Sequence, residues 1–167
     1  MPLTSRVQVT LTGTLLSSPD FADVSFPLAL LRTIDFANGA GAFQGNFLWA
    51  DQRTLAPSAT DALDLNGGGL VDALGVAVAP ARLRALLIYS AAGNLNNLTV
   101  LGTANAVPFL NTVATTLPLT PGGIILLSNP SATGYVVTAA TGDIIQIVNA
   151  AGVNSVTYDI ALIGSLT

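Results

Sequence analysis

The sequence predicts an all-β, single-domain sandwich (residues 1–167) with jelly-roll-like connections; an immunoglobulin-like sandwich is the alternative. Three observations carry that expectation. Short apolar runs recur roughly every eight to twelve residues, separated by clusters of Gly, Pro, Asn and Asp. Several runs alternate with period two, and almost none shows the period of an amphipathic helix. At 167 residues the chain suits one domain better than two.

The first run is Val7, Val9 and Leu11, alternating with Gln8, Thr10 and Thr12, a half-buried strand. Residues 1–16 are expected to form an N-terminal strand or arm that contacts a partner. A turn follows at Ser17-Ser18-Pro19-Asp20. VSFPLALLRTIDF (24–36) reads as one long strand or two short ones, with Pro27 confining its start to an edge or bulge. ANGAGAFQGN (37–46) is a Gly-rich loop, and Phe47, Trp49 and Asp51 then share one face of a short strand. Residues 60–65 form the next strand, ahead of a triple-glycine turn and a single helical turn near 70–74. ARLRALLIYSA (81–91) is the clearest buried strand, with Leu83, Ala85, Leu87 and Tyr89 on one side and Arg84, Leu86 and Ile88 on the other. Runs at 98–102, 113–119, 123–129, 134–140, 143–149 and 155–164 complete the series.

Composition bounds the function. The chain is 51% hydrophobic and 8% charged, against about 25% charged in an ordinary soluble domain. Every acid is Asp and every base is Arg. From Ala85 to Gly142, a run of 58 residues, nothing is charged at neutral pH. So little charge suits a surface that meets other protein and is a liability on a free monomer. A net charge of −4 and a pI near 4.2 argue against gripping nucleic-acid phosphates. No apolar run reaches the length of a spanning helix, and no basic start with an apolar core heads the chain. The expectation is a protein made in the cytosol and soluble or assembled afterwards, with no membrane, nucleic-acid or small-molecule partner.

The chemistry that an enzyme needs is missing at the level of parts. Without His or Cys there is no Ser-His-Asp or Cys-His arrangement and no ordinary zinc site. Without Lys there is no Schiff base and no phosphate-loop lysine. No Asp pair has a context for glycoside cleavage. The glycines of Gly39-Ala-Gly41-Ala-Phe-Gln-Gly45 have the wrong spacing for a dinucleotide loop. Asp64, Asn66, Gly68 and Asp72 loosely follow a calcium loop, but its twelfth position falls on Gly75 instead of an acid. No catalytic residue, metal or cofactor is expected. Phe47, Trp49 and Gln52, beside the Asn-rich loop 94–97, offer a platform for stacking a sugar; filling the core is the other reading of the aromatics.

What remains is apolar surface. GIILLSN (123–129) places four aliphatic residues in succession, so both faces of the strand are greasy, as they are in 83–89, 137–149 and 158–164. In a sandwich one face looks inward, which leaves the other to a partner. The interface candidates are Ile125, Leu127, Leu86, Ile88, Arg82, Arg84, Phe21 and Phe43, with the two arginines pairing to Asp of a neighbour or lying on a solvated face.

DQRTLAPSATDALDL (51–65) and LTPGGIILLSNPSATGYVVTAATGDIIQIVNAAGVNSVTYDIALIG (119–164) resemble small β-rich structural proteins of tailed bacteriophages. The resemblance implies a non-enzymatic virion component: a decoration or cement protein on the capsid exterior. It would be a homo-oligomer, a trimer at local threefold positions, bound to the major capsid protein. The alternative is a tail-fibre or baseplate β-domain that binds host glycan. On the first reading the protein is made in the host cytoplasm, its outer apolar sheet makes the contact between copies, and the N-terminal segment and the loops near 17–23 and 37–46 touch the shell.

Overall fold

The computed structural model describes residues 2–18, 21, 23–110 and 115–166. Eight strands form the sandwich. One sheet has the order β4 (Phe47–Leu55), β12 (Val156–Ser165), β6 (Arg82–Ser90) and β9 (Ile124–Ser128), with the short β10 (Tyr135–Val136) beside β9 on β6. The facing sheet has the order β5 (Thr60–Asp64), β11 (Ile144–Val148), β7 (Leu98–Leu101) and β8 (Thr116–Leu119). All of these pairings are antiparallel. Among these eight strands the chain changes sheet at every step except β7 to β8. Two interlocked Greek keys of this order make a jelly roll, and the immunoglobulin-like alternative is set aside.

Alternation explains the core. Along β12, Val156, Tyr158, Ile160 and Leu162 point inward, while Thr157, Asp159, Ala161 and Ile163 face out. Leu86 and Ile88 from β6, Phe47 and Trp49 from β4, and Ile145 and Ile147 from β11 fill the same space. A register shift between Ile163 and Gly164 re-aims the start of β6. Leu83 therefore joins the core, while Arg84 leaves it for the loops at the sandwich edge.

Two expectations change. The helical turn near 70–74 is a β-bridged turn, Val71 to Ala77, closed by Asp72 Oδ1, which accepts from the amides of Leu74 (2.8 Å) and Val76 (2.9 Å). A short acid competing for backbone amides favours a turn over a helix. The strand expected over 134–140 shrinks to two residues because its second half turns back on itself through Thr138 and Gly142. Of the strand expected over 113–119, residues 113 and 114 lie outside the described residues, as do 19 and 20 of the first turn.

The first 38 residues lie outside this scheme. β1 (Ser5–Ser17) and β2 (Val24–Asn38) pair in unbroken register over thirteen residue pairs and form a ribbon that projects from the sandwich. Residues 24–36 are thus one strand, and each strand of a two-stranded ribbon has an open side that tolerates Pro27. The expected N-terminal arm is therefore half of a hairpin.

Candidate interaction surface

The ribbon is held at its foot. Beyond β2 the chain turns through 39–43 and returns as β3 (Gln44–Gly45), parallel to the end of β2. Gln44 Oε1 accepts from the Gly41 amide (2.8 Å), and the amide of Phe43 donates to Pro130 O (2.7 Å). This leaves several loop carbonyls aimed inward at one side chain. Arg84 is fully buried and donates to Ala40 O (2.7 Å), Gly41 O (3.3 Å), Gln44 O (3.3 Å) and Ser131 O. Burial pushes its guanidinium below the ordinary pKa, and Arg82 adds to that. The five donors of a planar guanidinium suit such a ring of carbonyls. Gly134, in the left-handed region (φ 54°), must be glycine here, since a Cβ would sit 2.5 Å from both Arg84 Nη1 and Leu83 O.

Register sorts the ribbon into two faces. Residues directly opposite share a face, so Val7, Val9, Leu11, Leu15, Val24, Phe26, Leu28, Leu30 and Ile34 form one apolar side, with Arg32 as its single charge. The other side is mixed: it carries Gln8, Thr10, Thr12, Thr14 and Thr33 and an exposed pair in which Arg6 Nε meets Asp35 Oδ1 at 2.5 Å, but also the exposed Leu16 and Leu31. The apolar side is covered at the foot, where Phe36 is buried and Val7 and Ile34 are half-buried. From Val9 outward it is bare: Leu15 is 72% exposed, Phe26 68%, and Phe21 at the tip is wholly exposed.

A second apolar surface begins at that foot. The outward side of the β4–β12–β6–β9 sheet presents Leu48, Ala50, Ala161, Ile163, Leu87, Tyr89, Ile124 and Leu126, with Ala85 of the same side already buried. Between it and the ribbon lies a groove of 230 Å³ bounded by Arg6, Val7 and Gln8 on one side and Ala85, Leu87, Leu126, Ala161 and Ile163 on the other. A compact protein of 16.9 kDa exposes roughly 7,700 Å², whereas this chain exposes 9147 Å².

The structure redistributes the predicted interface residues. Phe21 and Phe43 are exposed. Leu86 and Ile88 belong to the core, and their register partners Leu127 and Ile125 pack against it. The sequence reading identified a strand with two apolar faces but chose the wrong parity. The outward residues are Leu87, Tyr89, Ile124 and Leu126. Arg84 serves the ribbon's foot and is no neighbour's partner; Arg82 lies half-buried at the end of β6. The ribbon's apolar face was legible from alternation in 7–15 and in 24–34, but nothing in either strand alone shows that they pair with each other.

The sugar platform is not assembled. Phe47 and Trp49 are buried, and Trp49 Nε1 donates to Val71 O (3.0 Å). Gln52 faces outward and donates to Asp159 Oδ1 (2.7 Å). In the Asn-rich loop, Asn94 donates to Ser90 Oγ and Thr157 O, and Asn96 donates to Val153 O and Asn154 O, so both amides are spent on the fold. In the loose calcium motif, Asp64 Oδ1 accepts from the Asn66 amide (2.8 Å). Among the described residues no group of three acidic side chains gathers for a metal, and no helix is long and apolar enough to cross a membrane. A tie between the sheets has the ingredients of chemistry: Tyr158 Oη donates to Asp61 Oδ2 (2.7 Å), and Arg53 Nε donates to the same oxygen (2.6 Å). Burial raises the Tyr158 pKa strongly, and Asp61 adds to it. A buried phenol held neutral is no base, so the cluster joins strands.

The chain matches no protein-family model and no curated protein.

Proposed function

We propose that the protein is a non-enzymatic structural component of a phage particle, a decoration protein that cements the capsid exterior through contacts with copies of itself and with the major capsid protein. The observation that carries this reading is the ribbon, bare along one apolar face and continuous at its foot with an apolar sheet surface. Such a two-stranded ribbon is at best marginally stable in water, and an exposed apolar area of this size marks an interaction site. The resemblance of 51–65 and 119–164 to tailed-phage structural proteins supplies the setting, and the jelly roll accords with it. Phe21 at the ribbon tip and Phe43 at its foot are the contacts to the shell. They stand at opposite ends of a 13-residue strand, so the two loops reach separate points of the shell.

Quantitative gels of purified particles from a host that carries the gene test the reading. Hundreds of copies per particle are expected, along with particles that lose heat resistance when the gene is deleted. A few to tens of copies would place the chain in the tail, and no copies would overturn the particle assignment altogether.

A further inference from the structure

Resting on the self-association in that reading, we infer that the occupant of the bare ribbon is a second copy of this chain. The ribbon of one copy lies apolar side down on the outward face of the β4–β12–β6–β9 sheet of its neighbour, with Arg32 against the neighbour's Asp159.

Three observations point to this pairing. The first is charge. The apolar ribbon face carries a single charge, Arg32, and the outward sheet face along Ala85–Tyr89 and its register partners carries a single charge, Asp159, of opposite sign. Among the described residues Arg32 donates only to the adjacent Leu31 O (2.8 Å), and Asp159 accepts from the neutral Gln52. Among the described residues neither joins an ion pair, whereas Arg6 and Arg53 do. Opposite charges set singly in two apolar fields fix register and orientation.

Area is the second. The chain exposes 9147 Å², roughly 1,400 Å² more than a compact protein of its mass. A standard interface buries about 800 Å² per partner. Giving one ribbon and receiving another uses two such surfaces on every copy, which matches the surplus.

Continuity is the third. At the foot, Val7 already shares a groove with Leu87, Leu126, Ala161 and Ile163 of its own sheet. Ribbon on sheet is therefore a contact these surfaces begin within one chain. A neighbour's ribbon extends the same layer across the strands that the foot leaves uncovered.

The chain has no cysteine, so engineered thiols report without background. Leu30→Cys and Ala161→Cys, each two residues from its charge on the same face, are made in separate chains and mixed under mild oxidation. The expected result is a disulfide-linked heterodimer well above the homodimers that either variant forms alone. Leu30→Cys homodimers in excess would mean that ribbons pack on ribbons, and the inference fails. In parallel, sedimentation of variants whose thermal unfolding matches the parent should show Arg32→Asp and Asp159→Arg each weakening self-association by at least about tenfold. Both changes in one chain should restore it; a double variant no stronger than the singles overturns the pairing. The two readings fail separately. Particles that hold the chain without the Leu30–Ala161 link defeat only this inference, and the link formed by a chain absent from every particle defeats only the phage assignment.

Discussion

Arg84 shows how one buried side chain organises a region with almost no other charge. It stands one position before the 58-residue run that carries no charge. Its partners are carbonyls and not carboxylates, so removing it strands several part-buried acceptors at once. Arg84→Ala is expected to cost at least about 3 kcal/mol by urea denaturation, and Arg84→Lys, with fewer donors, to recover part of it. A second residue-scale prediction concerns Tyr158. Its folded pKa lies above the ordinary 10.0 because burial and Asp61 disfavour the phenolate. A raised folded pKa contributes stability that is complete below the unfolded value and fades as pH climbs above it. Stability should therefore hold up to about pH 10 and fall beyond, with Tyr135, also raised by burial, adding to the loss. Tyr158→Phe should cost about 2 kcal/mol at neutral pH and show a shallower decline in the alkaline range, read by denaturation across pH.

Among the elements, the ribbon and the sandwich are energetically separable. The ribbon contributes nothing to the core beyond Val9, since every residue of β1 and β2 from Gln8 to Thr33 is exposed. Val9 and Arg32 face each other across the ribbon, so joining them through Asn-Gly makes a two-residue hairpin. That shortened chain should keep its unfolding free energy within about 0.5 kcal/mol while losing self-association. Amide exchange should report the same division: fast over 10–31 in dilute protein and slowed on concentration. These two strands also mark the limit of what could be read in advance. The alternation of 7–12 predicted a half-buried strand; the strand forms, but from Gln8 outward both of its faces are exposed. It could not tell whether the apolar side faced an interior or nothing, because periodicity records which side is apolar and not what covers it. For β6 and β9 the difficulty was reversed. Apolar residues on both faces hid the parity, and only the inward position of Tyr158 and Leu162 on the neighbouring β12 settles it. The sandwich strands were legible because turns of Gly, Pro and Asn bracket them. The 70–74 turn was not, since Asp72 acts through its own backbone neighbours.

For the whole molecule, the inferred pairing would couple folding to assembly by mass action. If each copy both gives and receives a ribbon, apparent stability rises with concentration, by about 1.4 kcal/mol per tenfold for each association step. The thermal midpoint should accordingly climb with protein concentration in the parent chain and stay fixed in the shortened one; calorimetry over two decades of concentration reads this directly.

The ribbon's unbroken register, fixed at one end by Arg84, also makes it a measuring stick. Thirteen paired residues at about 3.4 Å each make a ribbon roughly 44 Å long, of which the part from Val9 outward, roughly 30 Å, stands clear of the sandwich. Adding two residues to each strand should lengthen the spacing between neighbouring centres by about 7 Å and preserve adhesion, whereas adding one to each would turn the greasy stripe over beyond that point. The gauge of any lattice built from this chain is then written in the count of residues between Arg6 and Ser17.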